Sequence, residues 1–336
     1  MSETIQKIGV VGAGAWGTAL AATARRAGRD VVLQAHETEV AEAINTSHEN
    51  TTYLPGVKLD DGIRATTDLA DIAACDAVLL VMPAQFLRAV TSEMTSLWRD
   101  GVPAVICAKG IEQKTGALLS EIAAETLPNA PLAVLSGPTF AIEVARGLPT
   151  GVTLASKDPD IATRLSAAIG TSTFRAYRSQ DIIGVELGGA IKNVLAIGCG
   201  IIQGRGMGDN ARAAFITRGL AEMARIAAAK GAEPETLVGL SGLGDLTLTC
   251  NAMQSRNFSL GVGLGEGRSL EDILGERASV TEGVFSASSA VQLAASLGVD
   301  APICSAMDGI LNKQIDIDAT IQSLLARPVG DEDPLG

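Results

Sequence analysis

Histidine and aromatic side chains are scarce in this chain: 2 His, 2 Trp, 2 Tyr and 6 Phe in 336 residues. Both histidines, His36 and His48, follow the second apolar strand segment. Neither is placed to donate a proton at the far end of a bound dinucleotide. No H-E-x-x-H, G-x-S-x-G or P-loop pattern occurs, which argues against hydrolase and phosphoryl-transfer chemistry. The five cysteines (Cys75, Cys107, Cys199, Cys250, Cys304) lie far apart with no C-x-x-C pair. Neither a metal site nor a disulfide framework is expected, and a reduced, cytoplasmic setting is. The first residues, Met1-Ser2-Glu3-Thr4, contain no basic n-region or apolar run, so no signal peptide is expected.

Basic residues are also in deficit, 26 against 38 acidic, for a net charge of −12. A nucleic-acid partner requires a basic surface and is therefore not expected. Local basic pockets for a phosphorylated substrate remain compatible with that balance. One segment, Ile182 to Ile202, is long and apolar enough to suggest a membrane span. It contains Glu186, Lys192 and Asn193, and a central lysine or acid costs roughly 2.5–3.5 kcal/mol on insertion scales. A buried core helix carrying functional polar groups fits it better.

What is abundant is small and apolar. Hydrophobic residues make up 47% of the chain, and there are 37 glycines. The length favours two domains. The most informative stretch runs from Lys7 through Gly12-Ala13-Gly14-Ala15-Trp16-Gly17 into an alanine-rich helix. Gly12 permits a tight turn, Gly14 leaves room for a pyrophosphate against the backbone, and Gly17 lets the helix sit close to the strand. The helix N-terminus then offers free N–H groups to that anion.

Strands are expected at residues 8–11, 31–33, 77–81, 104–108, 132–135, 151–155 and 173–176. Helices are expected at 18–26, 39–45, 86–97, 117–125 and 160–169 between them. Short apolar strands alternating with helices imply a parallel, doubly wound α/β sheet. From about Asp181 the strand signal stops and helices are expected at 181–202, 210–230, 286–297 and 302–311. Asp209 reads as an N-cap and Gly231 as a C-terminal stop for the second of these. Gly184, Gly188, Gly189, Gly198 and Gly200 imply other backbones packed close to the first. The expected organisation is an N-terminal Rossmann-like domain over 1–180, an all-α domain over 181–327 and a disordered tail over 328–336. A catalytic cleft is expected between the two domains.

An acid closing the second strand normally selects NAD. Here Ala35 stands at that point, followed by His36 and Glu37. Either a 2′-phosphate is tolerated with His36 as partner, or His36 is simply an exposed strand-end residue. NADP(H) is preferred on this reading, with NAD(H) also possible. Lysine is the remaining general acid/base candidate. Lys192 lies in an apolar helix, where an unpaired ammonium is costly. It is either a functional amine or half of a structural salt bridge to Glu186 or Asp245. Lys109 follows an apolar strand at the carboxyl edge of the sheet, as a site residue or an exposed loop lysine. If both face one cleft, their repulsion favours proton release from one. Asp245 stands alone in a glycine-rich turn. Ser255-Arg256-Asn257 is either a phosphate-binding set or an ordinary helix start capped by Ser255.

Six blocks carry a resemblance. They are Gly12–Leu20, Ser136-Gly137-Pro138-Thr139-Phe140-Ala141, Gly188-Gly189-Ala190-Ile191-Lys192-Asn193, Gly242-Leu243-Gly244-Asp245-Leu246, Ser255-Arg256-Asn257 and Glu282-Gly283. In this order, spanning Ile8 to about Ala326, the chain resembles the bacterial NAD(P)-dependent glycerol-3-phosphate dehydrogenases. The resemblance implies reversible reduction of dihydroxyacetone phosphate to sn-glycerol 3-phosphate for phospholipid synthesis, in a homodimer. It implies cofactor contacts from Ala15, Trp16, His36, Lys109, Ala141, Arg256, Val280 and Glu282. It implies a substrate site lined by Lys109, Gly137, Thr139, Lys192, Asp245, Ser255, Arg256 and Asn257, with Lys192 as proton acceptor. Ala15 and His36 stand where serine and arginine are frequent in this family. Two rivals are an oxidoreductase of hydroxy or sugar acids and a non-catalytic NAD(P) sensor, which would have no use for Lys192.

Overall fold

In a computed structural model, which describes residues 4–276 and 281–328, the chain folds into two compact units. The first comprises Met1–Ala108 and Leu119–Ile182, and the second Lys109–Leu118 and Ile183–Gly336. The first unit is built on an eight-stranded sheet. Its strands are β1 (Lys7–Val11), β2 (Asp30–Gln34), β3 (Ile63–Thr66), β4 (Ala77–Leu80), β5 (Ala104–Ile106), β6 (Leu132–Ser136), β7 (Thr150–Ala155) and β8 (Phe174–Ser179). The order is β3-β2-β1-β4-β5-β6-β7-β8, with the reversal of direction along the sheet at β1/β4. Central strands such as β4 are buried on both faces, which explains why they read as unbroken apolar runs.

The sheet is not wholly parallel as expected, because β7 pairs antiparallel with β6. The connection between them holds only a five-residue helix, Ala141–Ala145, and the chain turns back instead of crossing over. The longer helix Pro159–Ile169 then restores a parallel pairing of β7 with β8. Strand β3 was missed because its pattern is short and half-exposed, with Arg64 on its outer side. Helix Ala15–Arg26 begins three residues earlier than its sequence pattern suggests, directly after Gly14.

The second unit is helical. Ile182–Gly204 is long and apolar enough to cross a membrane by length and composition, yet 94% of its most apolar window is buried inside the protein. Of the glycines expected to admit other backbones, Gly188 and Gly200 do, whereas a Cβ at Gly198 would meet the Phe215 ring. A Cβ at Gly188 would lie 2.6 Å from the Ser241 carbonyl oxygen, and one at Gly200 would overlap the Phe258 carbonyl. Gly200 and Gly204 face Gly261 and Gly265 of helix Arg256–Gly265 at four-residue spacing on both helices. The second long helix, Asp209–Lys230, ends at Gly231 in the left-handed conformation. Asp209 is not its N-cap: Gly208 holds that position, and Asp209 is the first helical residue, its carboxylate accepting from Arg212 at 2.7 Å. An acid there still complements the helix dipole. The segment Lys109–Leu118 is interposed between strands of the first unit but packs with the second through Ile111 and Leu118.

Candidate active site

In the first unit the glycine turn has the form its sequence suggests. Gly12 has φ +103°, and a Cβ there would lie 2.9 Å from the Met82 backbone nitrogen. At Gly17 a Cβ would overlap the Gly12 carbonyl, whereas none of the described residues lies within 4 Å of the corresponding point at Gly14. Two glycines are thus required for closure and one leaves a vacant approach to the N-terminus of helix Ala15–Arg26. Trp16 carries a buried indole Nε1 with no hydrogen-bond partner among the described residues. An open glycine at a helix start beside an orphaned donor fits a dinucleotide pyrophosphate and its ribose oxygens. Gly137, with φ +154°, packs its α-carbon side against Val152, and Thr139 donates to the Gly137 carbonyl at 3.2 Å. Ala141 opens the short helix that follows. At the end of β2, Ala35 is fully buried and points away from solvent, while His36 is exposed.

In the second unit the two lysines meet on one carboxylate. Asp245, at the start of helix Asp245–Thr249, is 0% exposed. Its Oδ1 accepts from Lys192 Nζ at 2.5 Å and its Oδ2 from Lys109 Nζ at 2.6 Å. Lys192 Nζ donates a second hydrogen bond to Thr249 Oγ1 at 2.8 Å, and that hydroxyl lies 3.2 Å from Asp245 Oδ1. Of the alternatives open for Lys192, Asp245 is therefore its partner. The same ion pair places it beside Lys109, so Lys109 is not a solvated loop lysine.

With both amines protonated the cluster carries one net positive charge. Burial pulls the Lys192 ammonium down to about 8; Asp245 opposes this and Lys109 adds to it. An amine in that range exchanges its proton near neutral pH. Thr249 was not anticipated, although its spacing of four from Asp245 on one helix face was a usable signal.

Ser255 caps helix Arg256–Gly265, its hydroxyl accepting from the Phe258 N–H at 3.2 Å. Arg256 is exposed at the first helical position, and Asn257 is buried. The Asn257 side-chain NH2 donates to Asn193 Oδ1 at 2.9 Å, and its oxygen accepts from the Gly283 N–H at 3.1 Å. Asn257 therefore ties this helix to the residue after Lys192 and to the start of helix Glu282–Ser296, which opens with Glu282. The sequence marks Asn193 only as one of the polar groups of the apolar helix and part of a motif, and does not show its role in this network. Val280 lies outside the described residues.

A dinucleotide turn in one unit and an amine–carboxylate cluster on a helical second unit are the parts of a dinucleotide-dependent dehydrogenase. Comparison with known proteins narrows this. A family model described as the NAD-dependent glycerol-3-phosphate dehydrogenase N-terminus matches residues 7–162, and its C-terminal counterpart matches residues 181–322. The chain is 58% identical over 330 residues to a glycerol-3-phosphate dehydrogenase [NAD(P)+] of Rhodospirillum rubrum, covering 98% of this chain and 95% of that protein. A protein of the same description from Maricaulis maris is 57% identical, covering 98% of each. The crystal structure of glycerol-3-phosphate dehydrogenase from Coxiella burnetii superposes with TM-score 0.92 at 37% identity, over 96% of this chain and 99% of that one. The chain belongs to the NAD-dependent glycerol-3-phosphate dehydrogenase family.

Proposed function

We propose that this chain is an NAD(P)-dependent sn-glycerol-3-phosphate dehydrogenase, reducing dihydroxyacetone phosphate reversibly to sn-glycerol 3-phosphate. The observation that carries the reading is the buried Lys109–Asp245–Lys192 cluster, in a chain whose relatives carry that enzyme's description. Residues 1–180 serve the dinucleotide, through Gly12, Gly14, Ala15, Trp16, Gly17, His36 and Ala141, with Lys109, Arg256, Val280 and Glu282 completing its contacts. Residues 181–327 carry most of the substrate site. The fully buried Ala35 and exposed His36 at the end of β2 support a preference for NADP(H), with NAD(H) accepted. Five buried free thiols are in keeping with a cytoplasmic location. A homodimer feeding glycerophospholipid synthesis follows from the resemblance.

When bound, the nicotinamide supplies or takes up the hydride at C2 of the substrate. The protein's own groups do the rest. The Ser255 hydroxyl, the Arg256 guanidinium, the Asn257 amide and the free N–H groups of their helix start hold the substrate phosphate. Binding energy remote from the carbonyl thereby aligns it. Gly137 and Thr139 line the same substrate. Lys192 and Lys109 polarise the carbonyl, and Lys192 delivers its proton to the oxygen as negative charge develops there. Asp245 holds both amines in place, and Thr249 limits the directions in which Lys192 can point its protons.

The test is steady-state kinetics of the purified chain with dihydroxyacetone phosphate, an uncharged ketone and a 2-oxo acid, each with NADPH and NADH. The reading requires the phosphorylated triose to exceed the others in kcat/KM by at least a hundredfold. It also requires Lys192→Ala to lose nearly all turnover while dinucleotide binding survives. Comparable rates on a 2-oxo acid would favour the hydroxy-acid rival, and undiminished turnover in Lys192→Ala would remove the proton-transfer assignment.

A further inference from the structure

The first unit contains a carboxylate whose position bears on cofactor choice and which sequence alone left undirected. Glu37 ends the turn after β2 and caps helix Thr38–Ser47 by position, without a side-chain cap bond. Its Oε1 accepts a hydrogen bond from the Tyr53 hydroxyl at 2.8 Å. The phenol's pKa is raised, first by this bond to Glu37 and then by burial.

Tyr53 is itself anchored. Its backbone N–H donates to Asn50 Oδ1 at 3.0 Å, and the Leu54 N–H donates to the Asn50 carbonyl at 2.9 Å. Asn50 is 1% exposed, and its NH2 group donates to the Ala13 carbonyl at 2.7 Å and to Thr18 Oγ1 at 2.8 Å. The turn Asn50–Leu54 is thus fastened at one end to the glycine turn that receives the pyrophosphate. At its other end it holds the acid that follows β2.

In folds of this type the residues closing the second strand face the adenosine ribose. A carboxylate free to turn toward the 2′ position accepts a hydrogen bond from a hydroxyl and repels a phosphate. Resting on the NADP(H) preference proposed above, we propose that Tyr53 is a positioning residue for cofactor selection. It holds Glu37 away from the 2′ position and leaves His36 and the turn backbone to meet a 2′-phosphate.

The experiment measures dissociation constants of NADPH and NADH for the full chain by equilibrium fluorescence titration, without turnover. Four proteins are compared: wild type, Tyr53→Phe, Glu37→Gln and the double variant. Tyr53→Phe removes one oxygen atom and frees the carboxylate, so the NADPH:NADH affinity ratio falls about tenfold. Glu37→Gln keeps an acceptor for Tyr53 and leaves the ratio within about twofold. In the double variant the freed side chain is neutral, and the ratio stays within about twofold of Glu37→Gln. An equal change in both affinities on Tyr53→Phe, an unchanged ratio, or a shift that persists in the double variant would each overturn the role of Tyr53. A wild-type protein that binds NADH as tightly as NADPH overturns the underlying preference instead, and the two failures are distinguishable in one data set.

Discussion

Replacing Lys109 by methionine tests whether the proton chemistry belongs to Lys192. The two ammonium groups hold opposite oxygens of a carboxylate that has no solvent exposure. A carboxylate's width and two hydrogen bonds put them on the order of 6 Å apart, so at an effective dielectric near 20 their repulsion is about 2–3 kcal/mol. That corresponds to an upward move of Lys192 by about one to two pH units when Lys109 is lost. In the intact protein Lys192 titrates at about 8. On the proposed reading, oxidation of glycerol phosphate needs the free amine of Lys192, so its kcat/KM rises with pH through that point. On the same reading, reduction of dihydroxyacetone phosphate needs the ammonium, so its kcat/KM falls through the same point. In Lys109→Met both midpoints move up together, and at pH 8 the competent fraction for oxidation drops by about tenfold. Full pH profiles in both directions provide the assay, read from midpoints and not from absolute rates, since the proposed site also uses Lys109 for binding. Midpoints that stay put or move down would refute the electrostatic coupling, as would opposite movements in the two directions.

Two further outcomes follow from the same geometry. Gly200→Ala forces a methyl against the Phe258 carbonyl, so it lowers Tm by several degrees, corresponding to about 1–3 kcal/mol of overpacking; Gly14→Ala, at an open point, leaves Tm unchanged and weakens dinucleotide binding. Lys192 is held below its ordinary 10.5 in the folded chain, so between about 8 and 10.5 the unfolded state binds more protons and unfolding free energy rises with pH, by ~3 kcal/mol in all; urea titrations of Lys192→Met lack that rise.

Much of the fold was legible because burial and backbone conformation leave traces in single residues. Strands β1, β2, β4 and β6 are apolar on both faces, so each stood out between polar stretches. The stop at Gly231 was readable because a left-handed residue favours glycine. The reversed strand β7 was not, since direction depends on how a connection runs and not on the strand's own composition. Lys192 and Asp245 were both singled out as isolated charges among apolar neighbours. The Lys192–Asp245 salt bridge stood among the alternatives, but that Asp245 also holds Lys109 was not readable, because residues 109, 192 and 245 meet only through tertiary packing. Asn193 and Asn257 are uncharged amides, common on helix surfaces, and nothing local marks them as partners.

The glycines of the second unit also bear on the substrate's length. Gly200 faces Gly261 and Gly204 faces Gly265, so the two helices run parallel with a fixed register of 61 residues. Counting back along that register, Arg256 is level with Leu195, three residues beyond Lys192 on the long helix. At 1.5 Å per residue the helix start stands about 4–5 Å along the axis from the Lys192 Cα. The Asn257–Asn193 hydrogen bond ties that helix start to the residue next to Lys192. On the proposed reading one helix start takes the phosphate and Lys192 the carbonyl oxygen, so this short axial offset suits a phosphorus three bonds removed from the reacting carbon. A longer spacer between phosphate and carbonyl would demand a different register. The close glycine contacts prevent that adjustment, because neither helix can slide by a turn without driving side chains into the other's backbone. Chain length would then be selected by helix packing remote from the chemistry, and side chains at the site would need only to supply charge.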